Sequence, residues 1–318
     1  MKTLPVDELF GLRKTQAIKN AKGDTIQVEV LEDRTDDTKK FLPIQDDTYV
    51  FPAEETIDLT IALDSRGKDN ILIHGLHGSG KSSIAEQVCF KMNRPCARYQ
   101  HSVDTEASDI VGQWVLEGDK TSFHYGPLAR AMRDGLVYIA DEYDFALPNV
   151  LAVYQAVLEG APLIIKQAPE HMAVVKPHKD FRFIATGNTN GSGDETGLYQ
   201  GTQIQNAANY SRFGMTIKMD YQSATNEKQI IKRKIGELPE QDLDKLMEFS
   251  SSVRKAYENK TITNTVSTRE ILAISKWAVL RGRDTGPNWT YGINRAFANR
   301  MSTIDAAAIR EHAQRIFG

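Results

Sequence analysis

The chain has 318 residues, with 39 Lys and Arg against 42 Asp and Glu and a formal net charge of −3. That length allows one large domain or two ordinary ones, and the charge balance argues against a dedicated nucleic-acid binder, which carries a basic excess. Two cysteines, Cys89 and Cys96, are too few for a disulfide framework or a structural zinc site. No apolar run reaches the roughly 18 residues of a membrane span, and residues 1–11 lack a signal-peptide core, so a reducing, cytoplasmic location is expected.

Residues 1–45 read as an N-terminal extension and linker. Within it Ile26-Gln27-Val28-Glu29-Val30 alternates like a short strand, and residues 32–40 form a charged linker that can bury little surface. Pro52, with Ile57, Ile61 and Leu63 behind it, predicts a helix started by proline. The apolar run Ile71-Leu72-Ile73 then leads into Gly75-Leu76-His77-Gly78-Ser79-Gly80-Lys81-Ser82, and Ile84, Val88 and Met92 continue as one helical face.

Strand, glycine loop and helix are the context in which G-x-x-x-x-G-K-[ST] is a phosphate-binding loop. The glycines let backbone N–H groups turn inward on an anion, and the helix N-terminus adds partial positive charge. Gly75, His77, Gly78, Ser79, Gly80, Lys81, Ser82 and Ser83 form the expected nucleotide-binding set, with Lys81 on the β- and γ-phosphates and the Ser82 hydroxyl on Mg2+. His74 and His77 flank the loop without metal-ligand company.

Residues 96–100 are a candidate second strand and residues 109–112 a turn. Residues 113–117 and 121–125 flank Glu117-Gly118-Asp119-Lys120 as a hairpin; its Trp114, Phe123 and Tyr125 are either packing or pore-facing. Gly126-Pro127 opens a helix that Gly135 ends. The apolar run Leu136-Val137-Tyr138-Ile139-Ala140 delivers Asp141-Glu142 at its C-terminal end. Asp141 is expected in the Mg2+ shell, and Glu142 is expected to orient and deprotonate the attacking water, a role contributing about 10²–10⁴ in rate. This pair favours hydrolysis to ADP and phosphate over transfer to a metabolite, because only hydrolysis needs a water-activating glutamate here.

Pro148 starts a helix that Gly160 closes, and a second hairpin spans residues 163–165 and 172–175. Residues 181–185 form the next core strand. It ends at Thr186-Gly187-Asn188, where the Asn188 amide can orient the water or sense the γ-phosphate. Residues 187–203 hold five glycines, and a loop this long in a compact domain is usually functional. Arg212 precedes the last strand, residues 215–219. In a ring of subunits it can reach the neighbour's nucleotide, where such a finger is worth about 10³–10⁵ in rate.

Past residue 221 the strands stop. Residues 225–235, 241–257, 268–281, 289–300 and 303–316 read as helices, which sets a boundary near 222. Lys228, Lys232, Arg233 and Lys234 form a basic helical face, read as solvated. Ser267 and Glu270 make a capping box that fixes Arg269 in the first helical turn. A cation is unfavourable there, which points to an external anion such as a phosphate. The reading is an α/β P-loop domain over residues 46–221, with a parallel sheet and two hairpin inserts, followed by an all-helical lid over residues 222–318. No internal repeat or low-complexity tract is visible.

Together these motifs resemble the AAA+ ATPases of the MoxR group, and within it the CobS-like ATPase subunits of aerobic cobaltochelatase. The resemblance covers roughly residues 46–315. It rests on Asp47-Thr48-Tyr49-Val50-Phe51-Pro52, the phosphate loop, Asp141-Glu142-Tyr143-Asp144, Thr186-Gly187-Asn188-Thr189 and, most diagnostic, Gly193-Asp194-Glu195-Thr196-Gly197-Leu198-Tyr199-Gln200-Gly201-Thr202-Gln203. The two hairpins match inserts of that group, whereas Ser211 stands where the family more often has an acidic residue.

The resemblance implies ATP and Mg2+ as cofactors and a homo-oligomeric ring, usually a hexamer. It also implies a CobT-like partner with a von Willebrand A domain, and partner remodelling driven by ATP hydrolysis; a membrane or nucleic-acid partner is not expected. By the same resemblance Lys81, Ser82, Asp141, Glu142, Asn188, Arg212 and Arg269 take the roles given above. Two alternatives stand beside it: a nucleic-acid-stimulated motor or clamp loader, and a non-hydrolysing nucleotide-gated scaffold.

Overall fold

The computed structural model describes residues 1–12, 19–20, 22–32, 34–193, 199, 201–282 and 286–318. Two compact units result. The first holds Met1–Asp46, Ala53–Gly75 and Gly80–Met219, and the second holds Asp47–Pro52, Leu76–Ser79 and Asp220–Gly318.

The first unit is built on five parallel strands, β1 (Ile71–His74), β2 (Cys96–Gln100), β3 (Val137–Asp141), β4 (Arg182–Gly187) and β5 (Met215–Lys218), in the order β5-β1-β4-β3-β2. β3 and β4 are buried at every residue, as the near-continuous apolar runs of a sheet covered on both faces require. Parallel pairing puts all five C-terminal ends along one edge, outside which open α/β sheets bind ligands. In register Ile73 faces Thr186 and Ala185 faces Ala140, so the phosphate loop, Asp141 and Asn188 leave three adjacent strands side by side.

Residues 1–46 lie within this unit. Lys2–Pro5 pairs antiparallel with Gln27–Val30, and Val6, Phe10 and Val28 are buried. The charged stretch after residue 32 includes one helical turn, Asp36–Lys39.

Two expectations are corrected. Residues 109–112 are not a simple turn: Ala107–Val111 is a short helix, because Glu106 and Asp109 form a reciprocal capping box and Ile110 and Val111 bury. The helix begun by Pro148 is interrupted, with a tighter turn at Ala152–Tyr154 between Pro148–Leu151 and Gln155–Leu158. That turn carries Tyr154, whose buried hydroxyl bonds Tyr138 and His101.

The first hairpin pairs Gly112–Glu117 with Lys120–Tyr125. The second pairs only Leu163–Ile164 with Val174–Val175. The second unit contains the helices Ala224–Ile235, Glu240–Glu258, Thr268–Leu280, Trp289–Ala296 and Thr303–Phe317. Leu243, Leu246, Phe249, Val253, Ile271, Ile274, Phe297 and Ile309 form its core. The basic face is less solvated than its composition suggests: Lys228 and Lys232 both pair with Glu240, and Arg233 donates to the Tyr49 carbonyl. Among the described residues no helix is long and apolar enough to cross a membrane.

Candidate nucleotide-hydrolysis site

The chain leaves β1 through Gly75, whose φ of 145° and distance of 2.1 Å from a built Cβ to the Met219 carbonyl oxygen forbid any side chain. Gly80, at φ 97°, is the N-cap of the helix Lys81–Lys91 and faces open space. That helix has no side-chain cap and no acidic residue in its first turn, so the partial positive charge of its N-terminus is not offset there by a carboxylate and favours an anion. Among the described residues the buried Ser79 hydroxyl has no hydrogen-bond partner, an arrangement that costs about 1–3 kcal/mol until a ligand or water satisfies it. These features fit a polyphosphate.

Lys81 Nζ donates to the Gly75 carbonyl at 2.8 Å and to Asn188 Oδ1 at 3.0 Å. The ammonium therefore spans the ends of β1 and β4. One residue on, Ser82 Oγ donates to Asp141 Oδ1 at 2.6 Å, while Thr186 Oγ1 donates to the same oxygen. Arg98 on β2 donates through Nε to Asp141 Oδ2 at 2.9 Å, and its Nη1 reaches Glu86 at 3.2 Å. Burial on its own would raise the Asp141 pKa, but the bonds from Ser82, Thr186 and Arg98 and the guanidinium charge outweigh it and hold the carboxyl below its ordinary value. A hydroxyl and an ionised carboxylate are hard oxygen donors suited to Mg2+, which binds by one or two such groups plus phosphates and water. Among the described residues no cluster of three His, Cys, Asp or Glu side chains could hold a metal alone, so phosphate oxygens would have to complete the shell.

Glu142 sits in the left-handed region at φ 52° and ψ 43°, which costs a non-glycine residue about 1 kcal/mol or more. Its carboxylate accepts from Gln100 Nε2 at 2.9 Å, and its N–H donates to Thr186 Oγ1 at 3.3 Å. Asp144 is buried and accepts at Oδ2 from the N–H groups of Asn188 and Thr189 and from the Thr189 hydroxyl, at 2.9, 2.8 and 2.9 Å. Desolvation pushes its pKa up against those bonds. Asp144 thereby fixes the turn that aims Asn188 at Lys81.

Among known proteins, the AAA domain family (dynein-related subfamily) matches residues 70–213. The aerobic cobaltochelatase subunit CobS of Sinorhizobium sp is 29% identical over 327 residues, covering 99% of this chain and 91% of that protein. The chain has the AAA+ P-loop fold and is similar to CobS over nearly its whole length. An uncharacterised protein of Staphylococcus saprophyticus is 27% identical over 217 residues, covering 66% of this chain and 78% of that protein. The RuvB Holliday junction branch migration motor of Thermotoga maritima shares 15% identity at a TM-score of 0.49, over 85% of this chain and 72% of that one.

The five-stranded parallel sheet brings Gly75, Gly80, Lys81, Ser82, Asp141, Glu142 and Asn188 to one edge; Ser83 is exposed one residue further along the helix. Arg212 is elsewhere. It lies before β5, and its carbonyl accepts from Asn70, the residue preceding β1. Arg212 is thus at the N-terminal ends of the strands, about 13 Å of β-strand from its own phosphate loop. Its guanidinium pairs with Glu159 at 2.7 Å.

In the second unit the expected capping box of Ser267 and Glu270 is present. A Cβ built on Gly78 would stand 2.6 Å from Ser267 Cβ and 3.6 Å from Arg269 Cβ, and His77 Nε2 is 3.9 Å from Glu270. Arg269 itself is exposed. On the first hairpin Phe123 is buried, whereas Trp114 is 49% exposed and donates to the Gln167 carbonyl at 2.9 Å. Tyr125 is half-buried and donates to the Met172 carbonyl at 3.0 Å. Of the long diagnostic run, residues 194–198 and 200 lie outside the described residues.

Sequence reading missed Arg98 and Gln100. Their signal is two polar residues at i and i+2 on the C-terminal half of a strand beside the acidic pair.

Proposed function

We propose that this ATPase is the motor subunit of a homo-oligomeric ring, a hexamer, whose ATP hydrolysis remodels a partner protein. The observation that carries the reading is the position of Arg212. It has the chemistry of a phosphate-stabilising finger yet lies at the far end of the sheet from its own phosphate loop. It can serve a nucleotide only if a neighbouring copy brings one to it.

Within each site, Lys81 and the loop N–H groups of residues 75–83, with His77 at the loop tip, hold the phosphates of ATP. Ser82 and Asp141 hold Mg2+, which when bound neutralises charge on the phosphate oxygens. Glu142, steered by Gln100, takes the proton of the attacking water. Asn188, tied to Lys81, orients that water. Arg269, beside Gly78 at the start of its helix, is read as a further phosphate contact.

CobS is by name a cobaltochelatase subunit, and this chain is proposed to work in the same kind of assembly, with a CobT-like subunit bearing a von Willebrand A domain. Sedimentation velocity with and without a non-hydrolysable ATP analogue tests the ring. Nucleotide-dependent hexamers are expected, and a monomer at saturating nucleotide would overturn the reading.

A further inference from the structure

The carboxylate of Asp141 has no vacant side. Oδ1 accepts from Ser82 and Thr186, and Oδ2 accepts both Nε and Nη2 of Arg98. Arg98 therefore already supplies a cation at the acidic group that a divalent ion would need. Its third arm, Nη1, rests on Glu86 Oε1 at 3.2 Å. Glu86 stands on the helix Lys81–Lys91, one turn after Ser82, and so offers a second carboxylate within reach of the same guanidinium. Arg98 lies on the edge strand β2, with its side chain 39% exposed, which leaves it room to move.

We propose that Arg98 is a built-in cation that holds Asp141 until a divalent ion arrives with the nucleotide, and that Glu86 receives the guanidinium on release. This rests on the reading that Ser82 and Asp141 hold the metal. The physical reason is competition. A guanidinium bound through two N–H groups neutralises the carboxylate, and its charge repels a second cation in the same place. Metal binding without nucleotide is then disfavoured, and the phosphates of the incoming nucleotide tip the balance. Arg98 is a positioning residue in this scheme, because it acts on the metal only through Asp141.

Titration of the nucleotide-free protein with Mn2+, followed by the paramagnetic resonance signal of the free ion, tests the proposal without reading turnover. Arg98→Gln and Arg98→Leu are expected to bind Mn2+ about tenfold more tightly than the natural protein, the scale of one nearby like charge removed close to solvent. Arg98→Lys keeps the charge and is expected to stay close to the natural affinity. Equal or weaker Mn2+ binding by both neutral variants would overturn the role of Arg98.

A double-mutant cycle addresses Glu86. Glu86→Gln is expected to weaken Mn2+ binding more when Arg98 is present than in the Arg98→Gln background, and an equal effect in both would remove Glu86 from the scheme. Asp141→Asn separates the two layers of the argument. It is expected to abolish the added Mn2+ binding of Arg98→Gln; added binding that survives it would overturn the metal assignment, and the proposal with it.

Discussion

Two residues beside the hydrolysis site have costs that local folding does not repay. Glu142 holds a left-handed backbone conformation, so Glu142→Gly should relieve strain. The expected gain is up to about 1 kcal/mol in chemical denaturation, offset in part by the entropy of an unfolded glycine, while ATP turnover is lost. A clear loss of stability would show that the conformation is not strained. Asp144 is buried and satisfies two N–H groups and a hydroxyl through one oxygen. Removing it in Asp144→Ala orphans those donors and should cost about 2–4 kcal/mol. Asp144→Asn keeps an accepting oxygen, and because burial already favours the neutral acid, it should stay within about 1 kcal/mol of the natural protein. If the two variants were equally unstable in urea, the hydrogen bonds to Asn188 and Thr189 would not be what Asp144 contributes.

At the scale of the element, β2 and the turn after it join the site to the aromatic core. His101 is buried, with Nδ1 on the Asp141 carbonyl and Nε2 on the Tyr154 hydroxyl, both as short contacts of 2.9 and 2.8 Å. Burial lowers its pKa against the raising effect of the Asp141 carbonyl. The sign follows from proton counting. Below about pH 6.5 the unfolded histidine takes up a proton that the native one still refuses, so the unfolded state binds more protons and stability falls as pH drops towards the native pKa. The slope in that window is at most about 1.4 kcal/mol per pH unit. Melting temperatures measured from pH 7.5 to 5.5 should therefore fall less steeply for His101→Gln than for the natural chain; parallel slopes would exclude His101 as a source.

The same elements show what the amino-acid order could and could not reveal. β1, β3 and β4 were legible because a strand covered on both faces has a near-continuous apolar middle, and a polar residue at its end then stands out, as Asp141 and Asn188 do. β2 was found as a strand, but the roles of Arg98 and Gln100 depend on β2 lying beside β3, a non-local pairing that no period encodes. The helix Ala107–Val111 escaped notice because five residues are too few to show a helical repeat. Thr186 and Asp144 stood in recognised motifs, yet their work is a set of hydrogen bonds across strands, visible only once the register is known.

At the scale of the whole molecule, the separation of Arg212 from Lys81 has a consequence that no single variant can show. If each nucleotide lies between the phosphate loop and Glu142 of one copy and Arg212 of the next, then Glu142→Gln and Arg212→Ala damage opposite halves of the same site. Either variant alone should bind ATP and turn it over poorly. In a ring built from head-to-tail contacts, a mixture places some intact phosphate loops, from Arg212→Ala subunits, beside intact fingers, from Glu142→Gln subunits. For equal, random mixing about one site in four is complete, so roughly a quarter of the natural phosphate-release rate should return, provided subunits exchange before ATP is added. The Glu159 pairing makes the test sharper. In the isolated chain Arg212 is held by a carboxylate of its own subunit, and only a neighbour's phosphates give the guanidinium a stronger partner. Mixing that restores no activity at all, with rings formed, would mean that Arg212 serves its own chain through Glu159 and that the hydrolysis site is complete within one subunit.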